Sequence, residues 1–342
     1  MGERKLNDSW TWLGSKLPNR LFLAPMAGYT ASPFRDIAAE EGAAYLTTEL
    51  CSARGVVYDS EFIRNARYLN PGSFPSRTAI QLFGSDPDDF EKAIDRLCQD
   101  PVFGACASFD INMGCPVPKV VKTGAGAALM RNPSLAAHIV ERSRRSAERY
   151  GKGVSVKFRS GWSENELTAP SFLRTLEEAG AGGFCLHART REQFYSGQAD
   201  HGVTRACLEV TRLPLVANGD VSSLEEAESL LQMGASAVMI GRAAIGNPWI
   251  FSKLLALSEG RECPALNADS WMRTVERELD GLVGELGLPR GVREFRSALS
   301  AYIKGFPGAA AFRREIMSIE DPELLKAHIR QFAEKNFSTL NN

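Results

Sequence analysis

Short apolar segments rich in β-branched residues alternate along the chain with longer amphipathic segments. The short segments predict eight strands: RLFLAPM, AAYLTTE, TAIQLF, SFDINM, VSVKFR, GFCLHA, LPLVAN and ASAVMIG, the last ending at residue 241. The segments between them, such as PDDFEKAIDRLCQ and SLEEAESLLQMG, have helical periodicity, and several end at glycine. This alternation predicts an α/β fold, a (β/α)8 TIM barrel, and the alternative is an open, doubly wound sheet.

After about residue 255 the strand pattern stops, and the segments WMRTVERELDGLVGELG, RGVREFRSALSAYIKGF and PELLKAHIRQFAEKNF predict helices only. We therefore expect a barrel domain at residues 1–254, with residues 1–19 as an N-terminal extension, and an all-helical domain at residues 255–342. Between Arg290 and Arg314 six basic residues accompany one acidic residue. This cluster is suited to binding phosphates, and the alternative is an ordinary solvated helix face.

Composition limits the function less than the pattern does. The chain has 342 residues and a formal net charge of −1, so a nucleic-acid partner would have to be bound by local basic patches. Its seven cysteines and four histidines form no metal-binding spacing, which predicts reduced thiols and no metal site. Neither a membrane span nor a secretion signal is evident, and we expect a cytoplasmic protein.

The carboxyl ends of the predicted strands carry most of the candidate chemistry, because the loops there form the active site of such a barrel. The first strand leads into Pro25, Met26 and Ala27, where a flat ring can lie against the backbone. The next polar strand ends are Gln81, Asn112, Lys157, Arg159, His187 and Arg189. Each alone has an ordinary structural explanation, but together they predict a ligand pocket.

Glycine and charge coincide at the ends of the last two predicted strands. These residues are Asn218, Gly219 and Asp220, then Gly241 and Arg242, followed by AAIGNPWIF, which predicts a helix start. Loops after the seventh and eighth strands commonly bind a phosphate in this fold. A phosphate site beside a flat-ring pocket favours FMN over FAD or a bound nicotinamide dinucleotide, with Lys157 near the pyrimidine side of the flavin.

Cys115 differs from the other cysteines because it lies in a loop rich in glycine and proline, NMGCPVPK, with Lys119 four residues later. A thiol with an ordinary pKa of about 8.5 is mostly protonated near neutral pH. It can therefore act as an acid, and we expect Cys115 to donate a proton to a substrate that faces the flavin.

Seven segments of the chain resemble the flavin-dependent tRNA-dihydrouridine synthases, most closely the bacterial B type. They are APMAGYTASPFR (24–35), IQLFGSDP (80–87), DINMGCPVPKVVKTGAGAALM (110–130), VKFRSGW (156–162), LHARTREQFYSG (186–197), ANGDV (217–221) and MIGRAAIGNPWIF (239–251). They occur in the family's order and span nearly the whole predicted barrel. The segment AFRREIMSIED also resembles part of the family's C-terminal domain.

The resemblance implies that FMN is bound and that Cys115 is the general acid. The implied FMN contacts are Pro25, Met26, Ala27, Gln81, Lys157, His187, Asn218, Gly219, Asp220, Gly241 and Arg242. In the implied reaction NADPH reduces FMN, a uridine is flipped out of tRNA, hydride passes to uracil carbon 6, and Cys115 protonates carbon 5. Our candidates for holding the uracil edge are Asn112, Lys119, His187 and Arg189, and we expect Arg290 and Arg293 of the basic cluster to bind the RNA.

Other functions stay open at this point. A related FMN barrel could act on ribosomal RNA or on a free pyrimidine, as dihydroorotate dehydrogenases do. A protein of another class, an RNA chaperone that has lost catalysis, would keep the same scaffold. The sequence assigns neither the modified uridine, nor the preference between NADPH and NADH, nor the oligomeric state.

Overall fold

The computed structural model describes residues 4–340 except residues 60, 63 and 264. Its strands are β1 Trp10–Trp12, β2 Ser15–Leu17, β3 Leu21–Leu23, β4 Leu46–Thr47, β5 Cys51–Ser52, β6 Thr78–Phe83, β7 Ser108–Met113, β8 Gly153–Arg159, β9 Gly183–His187, β10 Leu215–Asn218 and β11 Ala237–Ile240. The main sheet has the order β3-β11-β10-β9-β8-β7-β6-β4, and a parallel bridge between Phe22 and Tyr45 closes it into a ring. This order confirms the (β/α)8 barrel, because an open doubly wound sheet would reverse its strand order.

The helices follow the strands as the periodicity predicts. They are α1 Ser32–Glu40, α2 Ala53–Tyr58, α3 Ala66–Leu69, α4 Pro87–Gln99, α5 Pro118–Val121, α6 Pro133–Glu148, α7 Ala169–Glu178, α8 His201–Val210, α9 Leu224–Met233, α10 Ile250–Ser258, α11 Ala268–Leu286, α12 Arg290–Tyr302, α13 Ala309–Ile316 and α14 Pro322–Leu340. Local signals set their ends: α9 begins with a capping box between Ser223 and Glu226 and ends at Gly234, which is left-handed. No helix in the described ranges is long and apolar enough to cross a membrane.

Two details after the last barrel strand differ from the sequence prediction. The segment AAIGNPWIF does not begin a helix directly after β11, because the chain first makes a 3-10 turn at Arg242–Ala244 and α10 starts only at Ile250. Gly246 explains the delay: its φ is +67°, and a Cβ there would lie 2.5 Å from the backbone of Tyr302. The short helix α13 was not predicted at all.

The N-terminal extension closes the amino-terminal end of the barrel. Strands β1 and β2 form a hairpin whose turn residues, Leu13 and Gly14, both have positive φ. Trp12 is buried beneath the barrel, with its ring 5.5 Å from that of Phe22. A Cβ at Gly183, the first residue of β9, would lie 2.6 Å from the Trp12 ring. The hairpin therefore supplies the apolar floor of the barrel interior.

The C-terminal helices α11–α14 share a hydrophobic cluster of their own, which includes Trp271, Phe295 and Tyr302. They contact the barrel through α1, where Gly281 of α11 allows an approach so close that a Cβ would lie 2.6 Å from Pro33. Because α1 starts directly after the loop that follows β3, this contact places the helical part of the chain beside the carboxyl-terminal mouth of the barrel.

Candidate active site

The interior of the barrel is apolar near its floor and polar near its mouth. Alternation along β7 turns Phe109, Ile111 and Met113 outward into the core formed with the helices, which leaves Asp110 and Asn112 facing inward. Gln81 is paired in register with Asp110 and is fully buried, and both ends of its amide are hydrogen-bonded within the barrel.

Lys157 is paired in register with Asn112 and enters the mouth from β8. Its ammonium donates to Asn218 Oδ1 at 3.1 Å, and Asn218 in turn donates from Nδ2 to the Met239 carbonyl at 2.8 Å. This is the one side-chain hydrogen bond of the ammonium within the described ranges, so two of its donors are left for a ligand. Desolvation at this site lowers the pKa of Lys157 from its ordinary value.

Cys115 is half-buried in the loop after β7. A Cβ at Gly126, which has a φ of +60°, would lie 2.8 Å from the Cys115 carbonyl, so glycine allows the two loop segments to meet. Arg159 Nε donates to the Gly114 carbonyl at 2.8 Å and holds the loop from the neighbouring strand. Burial raises the pKa of the Cys115 thiol, although a backbone hydrogen bond at Val117 and the charge of Arg159 act the other way. The thiol is therefore protonated near neutral pH.

The predicted phosphate-site residues lie at the ends of the last two barrel strands: Asn218 is the last residue of β10 and is followed by Gly219 and Asp220, and Gly241 and Arg242 follow β11. Gly219 has a φ of +131°, and a Cβ there would lie 2.7 Å from the side chain of Ala199. Only glycine is accommodated at this turn without strain, because the backbone comes so close to the next loop.

Asp220 joins two arginines across the mouth. Arg189 is fully buried, and its Nη2 donates to both carboxylate oxygens, at 2.7 and 2.8 Å. Its Nε donates to the Ser196 carbonyl at 3.2 Å, and its Nη1 lies 3.5 Å from His187 Nε2. Arg242 is half-exposed, donates to Asp220 Oδ1 at 2.8 Å and lies over the ring of Tyr195. Partial burial acts to raise the pKa of Asp220, but the hydrogen bonds from Arg189 and a backbone amide outweigh it and lower the pKa.

The pKa of His187, at the end of β9, depends on the burial and the charges of the mouth. Desolvation lowers its pKa well below the ordinary value, and the charges of Lys157, Arg159, Arg189 and Arg242 lower it further. The imidazole is therefore neutral at neutral pH. A mouth in which four cations surround one imidazole is suited to an anionic ligand.

The loop after β3 carries the predicted ring-binding residues Pro25, Met26 and Ala27. Ala27 is exposed at the rim, whereas Pro25 and Met26 are half-buried. Gly28 follows with a φ of +82°, and its amide donates to Glu49 Oε1 at 2.5 Å. The loop is thus fixed from behind while its residues at the rim stay open to a ligand.

Glu49 also connects the mouth to the C-terminal helices. It is 2% exposed, and Arg67 lies 3.9 Å from one of its carboxylate oxygens. The same arginine forms a 2.5 Å ion pair with Glu294 of α12. A continuous line of contacts therefore joins Gly28 at the mouth to α12.

The remaining predicted RNA contacts lie outside the mouth. Lys119 is exposed on the short helix α5, and its ammonium has no protein partner among the residues that the structure describes. On α12, Arg290 is paired with Glu294 at 3.0 Å, and Arg293 with Glu320 at 2.5 Å. The basic cluster is therefore partly neutralised by carboxylates, which the count of charges along the sequence did not reveal.

The sequence did not single out three residues of the mouth: Asp110, Glu49 and Tyr195. Asp110 had a usable signal, since it alternates with Asn112 along β7 and must share its face. Glu49 follows β4 closely, as the other candidates follow their strands. Tyr195 lies in the long loop between β9 and α8, where no periodicity places it.

The fold and the mouth define the class of the protein: a (β/α)8 enzyme with a protonated thiol and several cations at the carboxyl ends of its strands. The sequence model of the family described as Dihydrouridine synthase (Dus) matches residues 22–338. The chain belongs to this family of flavin-dependent oxidoreductases, which confirms the resemblance drawn from the motifs.

Relatives match over nearly their full length. The tRNA-dihydrouridine synthase B of Pseudomonas aeruginosa is 34% identical over 318 residues, which are 92% of this chain and 93% of that protein. The protein of the same name from Pasteurella multocida is 33% identical over 314 residues, 90% of this chain and 91% of that protein.

Among solved structures, an old yellow enzyme homologue from Zymomonas mobilis matches with a TM-score of 0.52 at 14% identity, over 78% of this chain and 96% of that one. Morphinone reductase matches with a TM-score of 0.53 at 12% identity, over 79% and 93%. At this identity the likeness concerns the barrel fold alone.

Proposed function

We propose that the protein is a tRNA-dihydrouridine synthase that reduces uridine in tRNA to 5,6-dihydrouridine, with FMN as its cofactor and NADPH as its reductant. The names of its relatives support the substrate class. The observation that carries the proposal is the Cys115 thiol, which burial keeps protonated in a loop fixed to the cation-rich mouth by Arg159. This is the arrangement that a reduction completed by proton transfer requires.

The described residues fit FMN. The close turn at Gly219 and the half-exposed guanidinium of Arg242 suit its phosphate, with Asn218, Asp220 and Gly241 beside them. The free donors of Lys157 suit the pyrimidine side of the ring. The ring would lie against Pro25, Met26 and Ala27, near Gln81 and His187. When bound, FMN supplies the hydride that it receives from NADPH.

The side chains of the mouth then act on the uracil. Cys115 donates its proton to carbon 5, and we propose that Asn112 and His187 hold the edge of the base. Arg189 lies buried behind His187, with Nη1 3.5 Å from His187 Nε2, and Lys119 is proposed to contact the RNA from α5, outside the mouth. Positive charge nearby stabilises the negative charge that develops on the uracil carbonyl oxygen. The uridine has to leave its base stack, since a stacked base does not reach a barrel mouth.

We propose residues 255–342 as the RNA-binding domain, adjoining a catalytic domain at residues 1–254. Arg290 and Arg293 would bind backbone phosphates, which compete with their present partners Glu294 and Glu320. Because the chain has a net charge of −1, affinity depends on such local contacts and falls steeply with salt.

The first test follows the flavin. The purified protein is reduced anaerobically with NADPH or, in parallel, NADH, and then mixed with tRNA that lacks dihydrouridine while flavin absorbance is recorded. We expect fast reoxidation that depends on tRNA. If ribosomal RNA or a free pyrimidine reoxidises the flavin and tRNA does not, that compound would replace tRNA as the proposed substrate. If the protein binds RNA but takes up no FMN, the result would favour the RNA chaperone.

Cys115→Ala tests the acid in the same assay. We expect reduction by NADPH and tRNA binding to persist while tRNA-dependent reoxidation slows by about 100-fold or more, the usual contribution of a general acid. Cys98→Ala is the matched control, because Cys98 is half-buried on the outer helix α4. Full activity of Cys115→Ala would remove the thiol from the mechanism.

A further inference from the structure

A chain of buried hydrogen bonds runs inside the barrel from Asp110 to the loop of Cys115. Asp110 accepts from Ser155 Oγ at 2.6 Å and from Gln81 Nε2 at 2.7 Å. Gln81 Oε1 accepts from Asn112 Nδ2 at 2.9 Å, and Asn112 Oδ1 accepts from the backbone amide of Cys115 at 2.8 Å. The side chains of this chain are at most 8% exposed, so their polar groups depend on one another rather than on water; they are Ser155, Asp110, Gln81 and Asn112.

The backbone amides at the Cys115 end of this chain fix the direction of every bond in it up to position 110. The backbone amides of Gly114 and Cys115 can only donate, so Asn112 must turn its oxygen to them and its NH2 group to Gln81. Gln81 must then offer its oxygen to Asn112 and its NH2 group inward. Position 110 therefore has to supply an acceptor, which is what a carboxylate does.

We infer that Asp110 is a positioning residue: by orienting the amides of Gln81 and Asn112, it fixes the loop that presents Cys115. It acts through two intermediate side chains. This inference rests on the proposed role of Cys115 as the acid, and it adds a residue to which neither the sequence motifs nor the fold assigned a role.

Electrostatics agree with an acceptor at this position. Burial raises the pKa of Asp110 to about 6, against the effect of the hydrogen bonds from Ser155 and Gln81 and of the charge on Lys157. The carboxylate thus predominates at neutral pH even though it is buried. Its charge is offset by hydrogen bonds rather than by a direct ion pair, an arrangement that is specific in orientation.

Two substitutions at this position separate orientation from folding. Asp110→Leu keeps the approximate size of the side chain but removes the acceptor. Asp110→Asn keeps one oxygen for Gln81 and can donate from its NH2 group to Ser155 Oγ, so it preserves the whole chain of bonds. If Asp110 positions the loop of Cys115, the loop should stay in place in Asp110→Asn and should be released in Asp110→Leu.

The first readout is the alkylation of Cys115 by iodoacetamide in the purified flavoprotein, followed at each cysteine by peptide mass spectrometry. We expect the rate at Cys115 to rise about five-fold in Asp110→Leu, the effect of losing one net hydrogen bond, and to stay within about two-fold of wild type in Asp110→Asn. The rate at Cys98 is the internal reference.

Asn112→Leu cuts the chain one bond closer to the loop and is expected to give the same increase. Buried Cys106 and Cys207 should stay unreactive in each variant that folds. An unchanged Cys115 rate in either folded Leu variant would overturn the inference.

The second readout is a double-mutant cycle in the tRNA-dependent reoxidation assay. Asp110→Leu is expected to slow this step by about five-fold when Cys115 is present and to have no further effect in the Cys115→Ala background, because both changes act on one proton transfer. Reduction by NADPH should change by less than about two-fold, whereas a general loss of structure would slow both half-reactions.

The outcomes of the cycle distinguish the two proposals. Equal slowing by Asp110→Leu in both backgrounds would contradict the positioning role while leaving Cys115 as the acid. Wild-type reoxidation by Cys115→Ala would instead reject the proposed acid, and the alkylation rates would still report whether Asp110 fixes the loop.

Discussion

We expect Glu278 to make the stability of the C-terminal helices depend on pH in a direction opposite to that of most carboxylates. It is 2% exposed inside the cluster of α11–α14, where it accepts a 2.7 Å hydrogen bond from the hydroxyl of Tyr302. Burial raises its pKa from 4.5 to about 7, although the bond to Tyr302 acts the other way. The folded protein therefore favours the neutral carboxyl, and folding becomes less favourable where that group ionises.

The size of the effect follows from the two pKa values. A group whose pKa is raised on folding contributes stability that is fully present below its unfolded pKa, here 4.5, and lost as the pH rises through its folded pKa, here about 7. At about 1.4 kcal/mol per pKa unit, the loss is on the order of 3 kcal/mol above pH 7.

Glu278→Gln removes this titration while keeping an oxygen for Tyr302. Its NH2 group lacks a partner, which costs about 1–3 kcal/mol at every pH and so does not alter the slope. We expect the free energy of unfolding of the variant, relative to wild type, to rise by about 2–3 kcal/mol between about pH 5 and pH 8.

Urea denaturation at several pH values, followed by tryptophan fluorescence and circular dichroism, measures this difference. Glu276→Gln is the matched control, because Glu276 lies on the same helix but is paired with Arg330 at the surface. Parallel stability curves for wild type and Glu278→Gln would refute the reasoning, since they would mean that Glu278 has the same pKa in the folded and unfolded states.

Three further changes test other parts of the structure. Trp12→Ala should empty the floor of the barrel and lower the free energy of unfolding by about 3–5 kcal/mol in urea denaturation, and a loss below 1 kcal/mol would contradict a packed floor. Gly126→Ala should slow tRNA-dependent reoxidation, and it should destabilise the fold more than Gly151→Ala does. Gly151 has a similar φ but open space around it, so equal effects would exclude the steric contact between position 126 and the Cys115 carbonyl. Glu294→Gln should weaken the ion pairs of both Arg290 and the largely buried Arg67. Because only Arg290 is exposed, tRNA binding should tighten several-fold and its salt dependence should correspond to about one more released ion, as measured by titration at several KCl concentrations; unchanged binding would place the RNA elsewhere.

The sequence predicted the barrel because its signals were local. Helix α4 runs from Pro87 to Gln99, as its periodicity and the preceding cap at Asp86 indicate. The N-terminal hairpin was not predicted, because its strands are three residues long and its turn places Leu13, rather than asparagine or glycine, at positive φ. Short elements that depend on tertiary packing leave little periodicity to read.

The candidate site was predictable to the level of strand ends and no further. Parallel strands bring their carboxyl ends together, so Lys157 and Asn218 could be expected to meet in the mouth. The partners of Arg189 could not be predicted, because most of them depend on the path of a loop without periodicity. Its guanidinium contacts Asp220, His187 and the carbonyls of Ser196 and Gly197. In the same way, the ion pairs of Arg290 and Arg293 arise only after folding.

The β1–β2 hairpin beneath the barrel affects how ligands enter and leave the enzyme. Trp12 is buried and packs under Gly183 at the amino-terminal end of the barrel, so we expect ligands to enter and leave by the opposite face. On the proposed function, the nicotinamide donor and the RNA would use the same entrance to the barrel. Binding of one would then exclude the other until it dissociates. High concentrations of either should then inhibit turnover by occupying the form of the enzyme that awaits the other.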